Sequence, residues 1–254
     1  MAQSAVIIGA GNVAYHLTRA LKEAGIDVQM VFTRSAERAR QVSLELGVPA
    51  TDSWDELPDS ANCYLYAVTG NALPGLLSRF LAPGALHLHT AGSIGTDVFP
   101  DHKPRHGILY PLQTFSKYKA VDFKQVPLFI EASSAESEIQ LTQLATLLSE
   151  RVYRASSDQR RHLHLAAVFA CNFVNHMYSI ANDLVQTSGL PFEVLQPLIA
   201  ETASKISVMS PREAQTGPAL RKDSQVMDKH LDLLKEFPEY QNLYALISRS
   251  ISPA

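Results

Sequence analysis

Hydrophobic and polar residues follow two different patterns along this chain. Up to about residue 155, short apolar runs alternate with stretches in which apolar residues recur every three or four positions. The apolar runs predict buried strands, and the recurring stretches predict amphipathic helices. Strands separated by helices predict parallel pairing with right-handed crossovers. The predicted strands are 4–9, 28–32, 62–68, 85–89, 106–110, 128–131 and 152–153, and the predicted helices are 13–24, 36–46, 73–80 and 136–150.

The last hundred residues have a helical pattern throughout. A single stretch, 157–188, contains neither Gly nor Pro, and further helical patterns follow at 192–206, 225–234 and 240–250. A strand pattern is absent from this part of the sequence. We therefore predict an α/β chain with a parallel-sheet domain in residues 1–155 and an all-α domain in residues 156–254.

The first predicted strand leads into a glycine turn and then into a helix. Gly9 allows the tight turn, Gly11 lets the backbone approach a ligand, and Ala14 stands where a third small residue keeps helix and strand close. The helix then begins at Asn12 and Val13, whose N–H groups and dipole favour an anion. This arrangement predicts a Rossmann-type domain that binds the pyrophosphate of a dinucleotide.

The end of the second predicted strand predicts which dinucleotide is bound. Thr33, Arg34 and Ser35 stand about twenty residues beyond the glycine turn, where an NAD enzyme has an acidic residue that binds the ribose. A guanidinium with neighbouring hydroxyls would instead hold a ribose 2′-phosphate, and Arg38 could add a second cation. The sequence favours NADP(H) over NAD(H); the alternative is that both arginines are solvated surface residues.

Composition narrows the class of protein further. The 254 residues suffice for two domains, 46% of them are hydrophobic, and the net charge of −3 favours neither nucleic acid nor an anionic membrane as a partner. Apolar runs are too short for a membrane span, and the first residues lack the basic start of a signal peptide. Cys63 and Cys171 are expected to be reduced core residues of a cytoplasmic protein.

Paired histidines occur twice, but a metal site is not expected. His87 and His89 share one predicted strand, and His162 and His164 share one predicted helix. Neither pair has an acidic partner nearby, and the spacing of Cys and His residues does not resemble that of a zinc site.

Polar residues follow several of the other predicted strands. Because ligands of open α/β sheets bind beyond the carboxyl ends of the strands, these residues are expected to contact the cofactor or the substrate. The expected cofactor contacts are Thr69, Asn71, Thr90, Ala91 and Gly92. The expected substrate contacts are Gln113 and Thr114, and Tyr110 is either a proton donor or a packing residue.

The long helical stretch carries polar residues on one face. At about 100° per residue, His164, Asn172 and Asn175 fall on a common stripe. The two amides could orient a substrate carbonyl or carboxylate, and His164 could move a proton, since its unperturbed pKa is near neutrality. Alternatively, these groups bond neighbouring helices or a dimer partner. Arg221 could anchor a substrate carboxylate with Asp223 fixing it, or the two could form a surface pair.

Five segments carry a resemblance to a known family. They read HTAGS at 89–93, GILYPLQTF at 107–115, LHLAAVF at 163–169, NFVNH at 172–176 and TGPALRKD at 216–223. Together they resemble Rossmann-like proteins with a DUF2520 domain, within the superfamily of 6-phosphogluconate dehydrogenase, pyrroline-5-carboxylate reductase and F420-dependent NADP oxidoreductase. The resemblance implies a helical C-terminal domain like that of 6-phosphogluconate dehydrogenase, NADP as cofactor, a homodimer, and hydride transfer to or from a small polar substrate.

One residue of the superfamily is missing. The 3-hydroxyacid dehydrogenase branch has a lysine followed one turn later by an asparagine on the long helix, whereas residues 164–179 contain no lysine. Two alternatives therefore stay open. The chain could bind NADP(H) as a sensor or scaffold without turnover, or it could transfer hydride to a second cofactor such as a deazaflavin.

Overall fold

The computed structural model describes residues 4–79 and 82–252, and it divides the chain into two compact units, Met1–Cys171 and Asn172–Ala254. The first unit contains one eight-stranded sheet with the strand order β3-β2-β1-β4-β5-β6-β7-β8. Its strands are β1 Ser4–Ile8, β2 Asp27–Phe32, β3 Ala50–Thr51, β4 Cys63–Tyr66, β5 Leu86–His89, β6 His106–Pro111, β7 Leu128–Ala132 and β8 Val152–Arg154. The two-residue strand β3 was not predicted, since it is too short to give a hydrophobic pattern.

All strand pairs are parallel except β6 and β7. The predicted parallel sheet is confirmed for the other pairs, and this antiparallel pair joins two strands between which no helix was predicted. Between β6 and β7 the chain forms only a short 3₁₀-helix, Phe123–Gln125. A parallel pair needs a long crossover, whereas an antiparallel pair does not, so the helix-poor connection explains the reversed direction.

Five helices belong to the first unit, and their ends are set by short-range hydrogen bonds. The Ser35 hydroxyl caps the second helix, which ends at Gly47 in the left-handed conformation. Ser156 and Gln159 form a capping box at the start of the fifth. The helices are α1 Asn12–Glu23, α2 Ala36–Leu46, α3 Leu73–Leu77, α4 Ala135–Leu148 and α5 Ser157–Ala167. The helix predicted over 73–80 is shorter than expected, and its predicted last residue, Phe80, lies outside the described residues.

The sheet is buried on both faces. Neighbouring residues of one strand point to opposite sides: Ile7 and Leu65 belong to one apolar cluster, and Val6 and Tyr64 belong to the other. Two-sided burial is typical of parallel sheets covered by helices, and it explains why the strands appear in the sequence as continuous apolar runs.

The second unit is helical. Its helices are α6 Val174–Thr187, α7 Gln196–Lys205, α8 Ser224–Leu233 and α9 Pro238–Ile251. A 3₁₀ turn, Phe192–Leu195, precedes α7. The sequence pattern over 157–188 predicted one regular helix, but a π-helical segment, Val168–Phe173, separates α5 from α6.

Three further expectations concern the chain as a whole. The contact-based division falls after Cys171, because α5 belongs to the sheet unit; the domain boundary at residues 155 and 156 stays a prediction. Cys63 is buried, and burial raises the pKa of its thiol. Cys171 is exposed, so the expectation that it is a core residue was wrong. Over residues 4–79 and 82–252, helices that combine the length and the apolar character needed to cross a bilayer do not occur.

The glycine turn is a point of close backbone approach. Gly9 has a φ of +126°, its N–H donates to the Phe32 carbonyl at 2.9 Å, and a Cβ placed on it would lie 2.3 Å from the Ala67 carbonyl oxygen. Gly11 differs, because a Cβ there would meet nothing within 4 Å. Gly9 is thus required by packing at the ends of β1 and β4, whereas Gly11 is not.

We expect Gly9→Ala to lower the free energy of unfolding by about 1–3 kcal/mol or more, because it adds backbone strain and a steric clash. Gly11→Ala is the matched control and should unfold within about 0.5 kcal/mol of the wild type. Urea unfolding of the ligand-free proteins measures both. Equal losses in the two variants would contradict this account of the turn.

Candidate functional site

Four strands of the first unit end side by side at one edge of the sheet. Strands β1, β4, β5 and β6 are mutually parallel, and Ile8 pairs with Tyr66, which in turn pairs with His89. The segments that follow these strands therefore share one edge, where ligands of such sheets bind. They contain most of the residues that the sequence analysis selected.

The N-terminus of α1 at this edge is open to an anion. Gly11 is the N-cap and supplies no side-chain hydrogen bond, and the first turn has no acidic residue. Its backbone N–H groups are therefore available to a ligand, which fits the predicted pyrophosphate site. Val13 packs against the core, and the Asn12 amide donates to the Phe115 carbonyl at 2.9 Å, so both side chains serve local packing.

The end of β2 presents one exposed cation. Thr33 is buried and its N–H donates to the Thr51 carbonyl, and the Ser35 hydroxyl accepts from the Arg38 N–H as the cap of α2. Arg34 is exposed, and among the described residues it forms no ion pair. This side chain is available to a phosphate.

Arg38 lies next to the glycine turn but has partners of its own. Its guanidinium donates to the Ala10 carbonyl at 3.1 Å and lies 3.6 Å from the Glu45 carboxylate. Lys117, from the β6–β7 connection, contacts the same carboxylate at 2.9 Å. Sequence reasoning missed both Glu45 and Lys117, because their positions relative to Arg38 depend on tertiary packing. A phosphate bound by Arg38 would compete with Glu45.

The predicted contacts after β4 and β5 differ in exposure. Thr69 and Asn71 are exposed, and Thr69 is the N-cap of the short 3₁₀-helix Gly70–Ala72. Thr90 is buried, and its N–H donates to the Tyr66 carbonyl at 3.2 Å. Ala91 is half-buried at the start of the loop.

His89 shapes the loop that follows β5. Its Nδ1 accepts from the Ala91 N–H at 3.2 Å, so its Nε2 carries the proton and donates to the Gly95 carbonyl at 3.3 Å. Burial lowers the pKa of His89 to about 4, so the ring is neutral and holds this tautomer at neutral pH. Its role is to fix the loop, and the described residues contain no cluster of three or more metal-ligating side chains.

Tyr110, His164 and Gly92 meet at the end of β6. The Tyr110 hydroxyl and His164 Nδ1 lie 3.1 Å apart, within hydrogen-bond distance. A Cβ on Gly92 would lie 2.7 Å from Cζ of Tyr110 and 2.8 Å from His164 Nδ1. Only a glycine lets the loop backbone lie this close to the two rings. The three residues come from three segments that were selected separately in the sequence.

The Tyr110 hydroxyl is protonated at neutral pH. Burial raises the pKa of Tyr110, and Cys171 raises it further, while the positive charge of Arg160 lowers it. The net effect is a rise. The phenol is therefore a proton donor held against an imidazole, which is a combination suited to general acid catalysis.

An ion pair of the buried Arg160 with the half-buried Glu131 lies near these two rings, and sequence reasoning missed it. Arg160 is fully buried in α5, and its guanidinium donates to the Glu131 carboxylate and to the Ile94 carbonyl, both at 2.6 Å. Burial raises the pKa of Glu131, but hydrogen bonds from Arg160 and Ser157 outweigh burial, and the pKa is lowered. The only available signal was the spacing of Arg160 and His164 by one helical turn.

The other predicted substrate contacts either bond within their own loop or are exposed. The Gln113 side chain accepts from the Thr114 N–H at 2.8 Å, so it turns back on its own loop. In the second unit Asn172 and Asn175 are exposed, and so is Arg221. A π-helical segment lies between His164 and Asn175, so the α-helical period used to place them on one stripe does not hold.

Asp223 has a different role from the one predicted. Its carboxylate accepts from the Val226 N–H at 3.2 Å as the N-cap of α8, and among the described residues it does not pair with Arg221. The neighbouring Thr216–Ala219 segment instead lines an apolar cavity of about 240 Å³ within the second unit, together with Met177, Leu234 and Tyr244.

Comparisons with known proteins show the family and the fold of the chain. Residues 126–251 match a domain of unknown function, DUF2520, and residues 4–98 match an oxidoreductase family with an NAD-binding Rossmann fold. A search of curated proteins gave no match.

Solved structures resemble the whole chain. A putative NADP oxidoreductase from Bacteroides fragilis is 44% identical, with 100% of this chain and 99% of that chain covered and a TM-score of 0.95. A protein from Thermotoga maritima is 20% identical, with 97% and 96% covered and a TM-score of 0.71. An imine reductase from Myxococcus stipitatus in complex with NADP⁺ is 14% identical, with 98% and 92% covered and a TM-score of 0.69. The last two share the fold alone.

The match to the Bacteroides protein covers both units at 44% overall identity. The chain therefore belongs to the family of NAD-binding Rossmann-fold oxidoreductases that carry a DUF2520 domain.

Proposed function

We propose that this protein is an NADPH-dependent reductase that delivers a hydride and a proton to a small polar substrate. The observation that carries the proposal is the Tyr110–His164 pair beneath Gly92. It places an acid at the same sheet edge as the open N-terminus of α1 and the exposed Arg34. The residues proposed to bind the cofactor and the proposed proton donor thus lie at the same edge of the sheet.

The residues present fit NADP(H). The uncapped N-terminus of α1 suits the pyrophosphate, and the exposed guanidinium of Arg34 suits a ribose 2′-phosphate. Gly9 and Gly11 keep the backbone of the turn free of side chains, and β2 ends without an acidic residue that would repel the phosphate. When bound, the reduced nicotinamide supplies the hydride. The relative with NADP in its description supports this assignment.

The chain's own contribution is the proton. Reduction of a C=O or C=N bond places a hydride on carbon and leaves negative charge on the oxygen or nitrogen, which then takes a proton. The Tyr110 hydroxyl donates that proton, and the His164 ring, whose Nδ1 lies 3.1 Å from the hydroxyl, relays a proton from solvent to the phenolate oxygen. No lysine is needed for this route, which accounts for the absence of a lysine from residues 164–179.

A carboxylate on the substrate would find its cation in Arg221 of the second unit. Arg221 is exposed, and Asp223 is engaged at the N-terminus of α8, so the guanidinium is available. Asn172 and Asn175 are exposed amides of the same unit that could hydrogen-bond a carbonyl or carboxylate. These three residues remain proposed substrate contacts.

We also propose that the protein is a cytoplasmic homodimer. Several leucine side chains of the second unit are exposed, including Leu198 at 64% and Leu233 at 77%. Exposed apolar surface of this kind commonly marks a protein interface. A second copy of the chain would cover these leucines. The cytoplasmic location is supported separately by the two free cysteines, since thiols stay reduced in that compartment.

Removing the Arg34 guanidinium should weaken NADPH binding selectively. A charge-assisted contact to phosphate contributes about 1.5–3 kcal/mol, so Arg34→Ala should raise the Kd for NADPH by about 10- to 100-fold and leave the Kd for NADH nearly unchanged. Fluorescence titration of the ligand-free protein measures both constants. Arg40→Ala, which removes an exposed arginine of α2, is the control. An unchanged Kd for NADPH, or an equal loss for NADH, would exclude the phosphate contact.

Removing the Tyr110 hydroxyl should slow turnover. We would screen small imines and carbonyl compounds, with a deazaflavin in the panel, by following NADPH absorbance. For any substrate found, Tyr110→Phe should lower kcat by about 10²- to 10⁴-fold with little change in the Kd for NADPH. Wild-type kcat in the variant would remove Tyr110 from the mechanism. Tight NADPH binding with no turnover across the panel would favour the alternative that the protein is an NADP(H)-binding sensor or scaffold.

Replacing Leu198 by a charged residue should separate the dimer. In sedimentation velocity at micromolar concentration, the wild type should sediment as a dimer and Leu198→Glu as a monomer, because a buried unpaired charge is costly. Leu44→Glu changes an exposed leucine of the first unit and should remain dimeric. A monomeric wild type would refute the proposed homodimer.

A further inference from the structure

The ion pair of Arg160 and Glu131 is placed to control the Tyr110–His164 pair. Strand β7 aligns Glu131 with Ile108 of β6, two residues before Tyr110. Helix α5 carries Arg160 four residues before His164. Four helical residues advance by about 6 Å and two strand residues by about 6.6 Å. The advance from Arg160 to His164 along α5 therefore matches the advance from Ile108 to Tyr110 along β6. The ion pair fixes α5 against the sheet at the first position, and the His164 and Tyr110 rings meet at the second.

Arg160 also fastens the loop that lies against both rings. Besides Glu131, its guanidinium donates to the Ile94 carbonyl at 2.6 Å and to the Ser157 hydroxyl at 3.2 Å. Ile94 follows Gly92 by two residues in the loop after β5. One guanidinium thus connects β7, the first turn of α5 and the loop that contains Gly92.

Stability alone does not account for this arrangement. The Nε atom of Arg160 is buried and makes no hydrogen bond with any described residue. A buried ion pair is often no more stabilising than apolar side chains of the same volume, because desolvation offsets the attraction. The contacts of Arg160 do, however, hold α5, which carries His164, at a fixed distance from the sheet, which carries Tyr110.

We propose that Arg160 is a positioning residue: clamped by Glu131, Ser157 and the Ile94 carbonyl, it holds His164 against Tyr110 and keeps a positive charge behind the phenol. This role rests on the proposed function, since it assigns the acid of that reaction. The charged and titratable groups that act on Tyr110 are His164 in contact with it, Arg160 of α5, and Cys171 of the π-helical segment. The charge of Arg160 lowers the pKa of Tyr110, whereas Cys171 raises it.

The test measures Tyr110 directly in the ligand-free protein, so it is independent of turnover. With ¹³C-labelled tyrosine, NMR titration follows the pKa of Tyr110, and the signal is assigned by its loss in Tyr110→Phe. Arg160→Met alone leaves the half-buried Glu131 carboxylate without its cation and would destabilise the chain, so the main variant is the double substitution Arg160→Met with Glu131→Gln. The expected result is a higher pKa of Tyr110 than in the wild type, because the favourable charge is gone.

A second spectroscopic measurement separates positioning from charge. Arg160→Lys keeps the charge but cannot reproduce the forked contacts to Glu131 and Ile94. The ¹⁵N signals of the His164 ring should then lose the signature of a hydrogen bond at Nδ1, while the Tyr110 pKa moves less than in the double variant. A matched control removes the surface ion pair Arg154–Glu138 by Arg154→Met with Glu138→Gln and should change neither signal.

The outcomes are distinct. A folded double variant with an unchanged or lowered Tyr110 pKa would overturn the electrostatic part, and an unchanged His164 signal in Arg160→Lys would overturn the positioning part. If both signals change as expected while no substrate is reduced by the wild type, the proposed reductase activity fails and the role of Arg160 in setting this pair is retained.

Discussion

The alignment of four parallel strand ends is the constraint on which the site depends. Hydrogen-bonded pairing of β1 with β4 and of β4 with β5 brings Ile8, Tyr66 and His89 into one row. Every segment that leaves this row begins at the same edge. The glycine turn, the His89 loop and the end of β6 can therefore contribute to one site although they lie far apart in the sequence. The chemistry of the site follows from which residues directly succeed each strand.

Gly9 and Gly92 both lie at this edge and both leave no room for a Cβ, for different reasons. At Gly9 the neighbour is the Ala67 carbonyl, and the turn needs a conformation that other residues adopt only with strain. At Gly92 the neighbours are the two rings of the proposed acid. Gly9 allows β1 and β4 to end close together, and Gly92 leaves room for the side chains of Tyr110 and His164. Their common feature in the sequence, a small residue after a strand, does not distinguish the two roles.

Local pattern was enough to predict the fold and to select residues for the candidate site. Burial on both faces makes the strands continuous apolar runs, and the glycine turn and Arg34 lie at fixed offsets from them. The reversed strand β7, the π-helical segment and the partners of Arg160 could not be predicted in this way. Arg160 contacts residues 29 and 66 positions away, and no periodicity encodes such distances. The stripe of His164 with Asn175 was not supported because it assumed an unbroken helical period.

The buried histidines of β5 give the fold a dependence on acidity. Burial lowers the pKa of both His87 and His89 from 6.5 to about 4. As the pH falls below 6.5, the unfolded chain binds two protons that the folded chain does not take up until about pH 4. The folded state therefore loses stability progressively across this interval. Because His89 also holds the loop over the proposed acid, protonation that favours unfolding of the sheet also removes the acceptor for the Ala91 N–H.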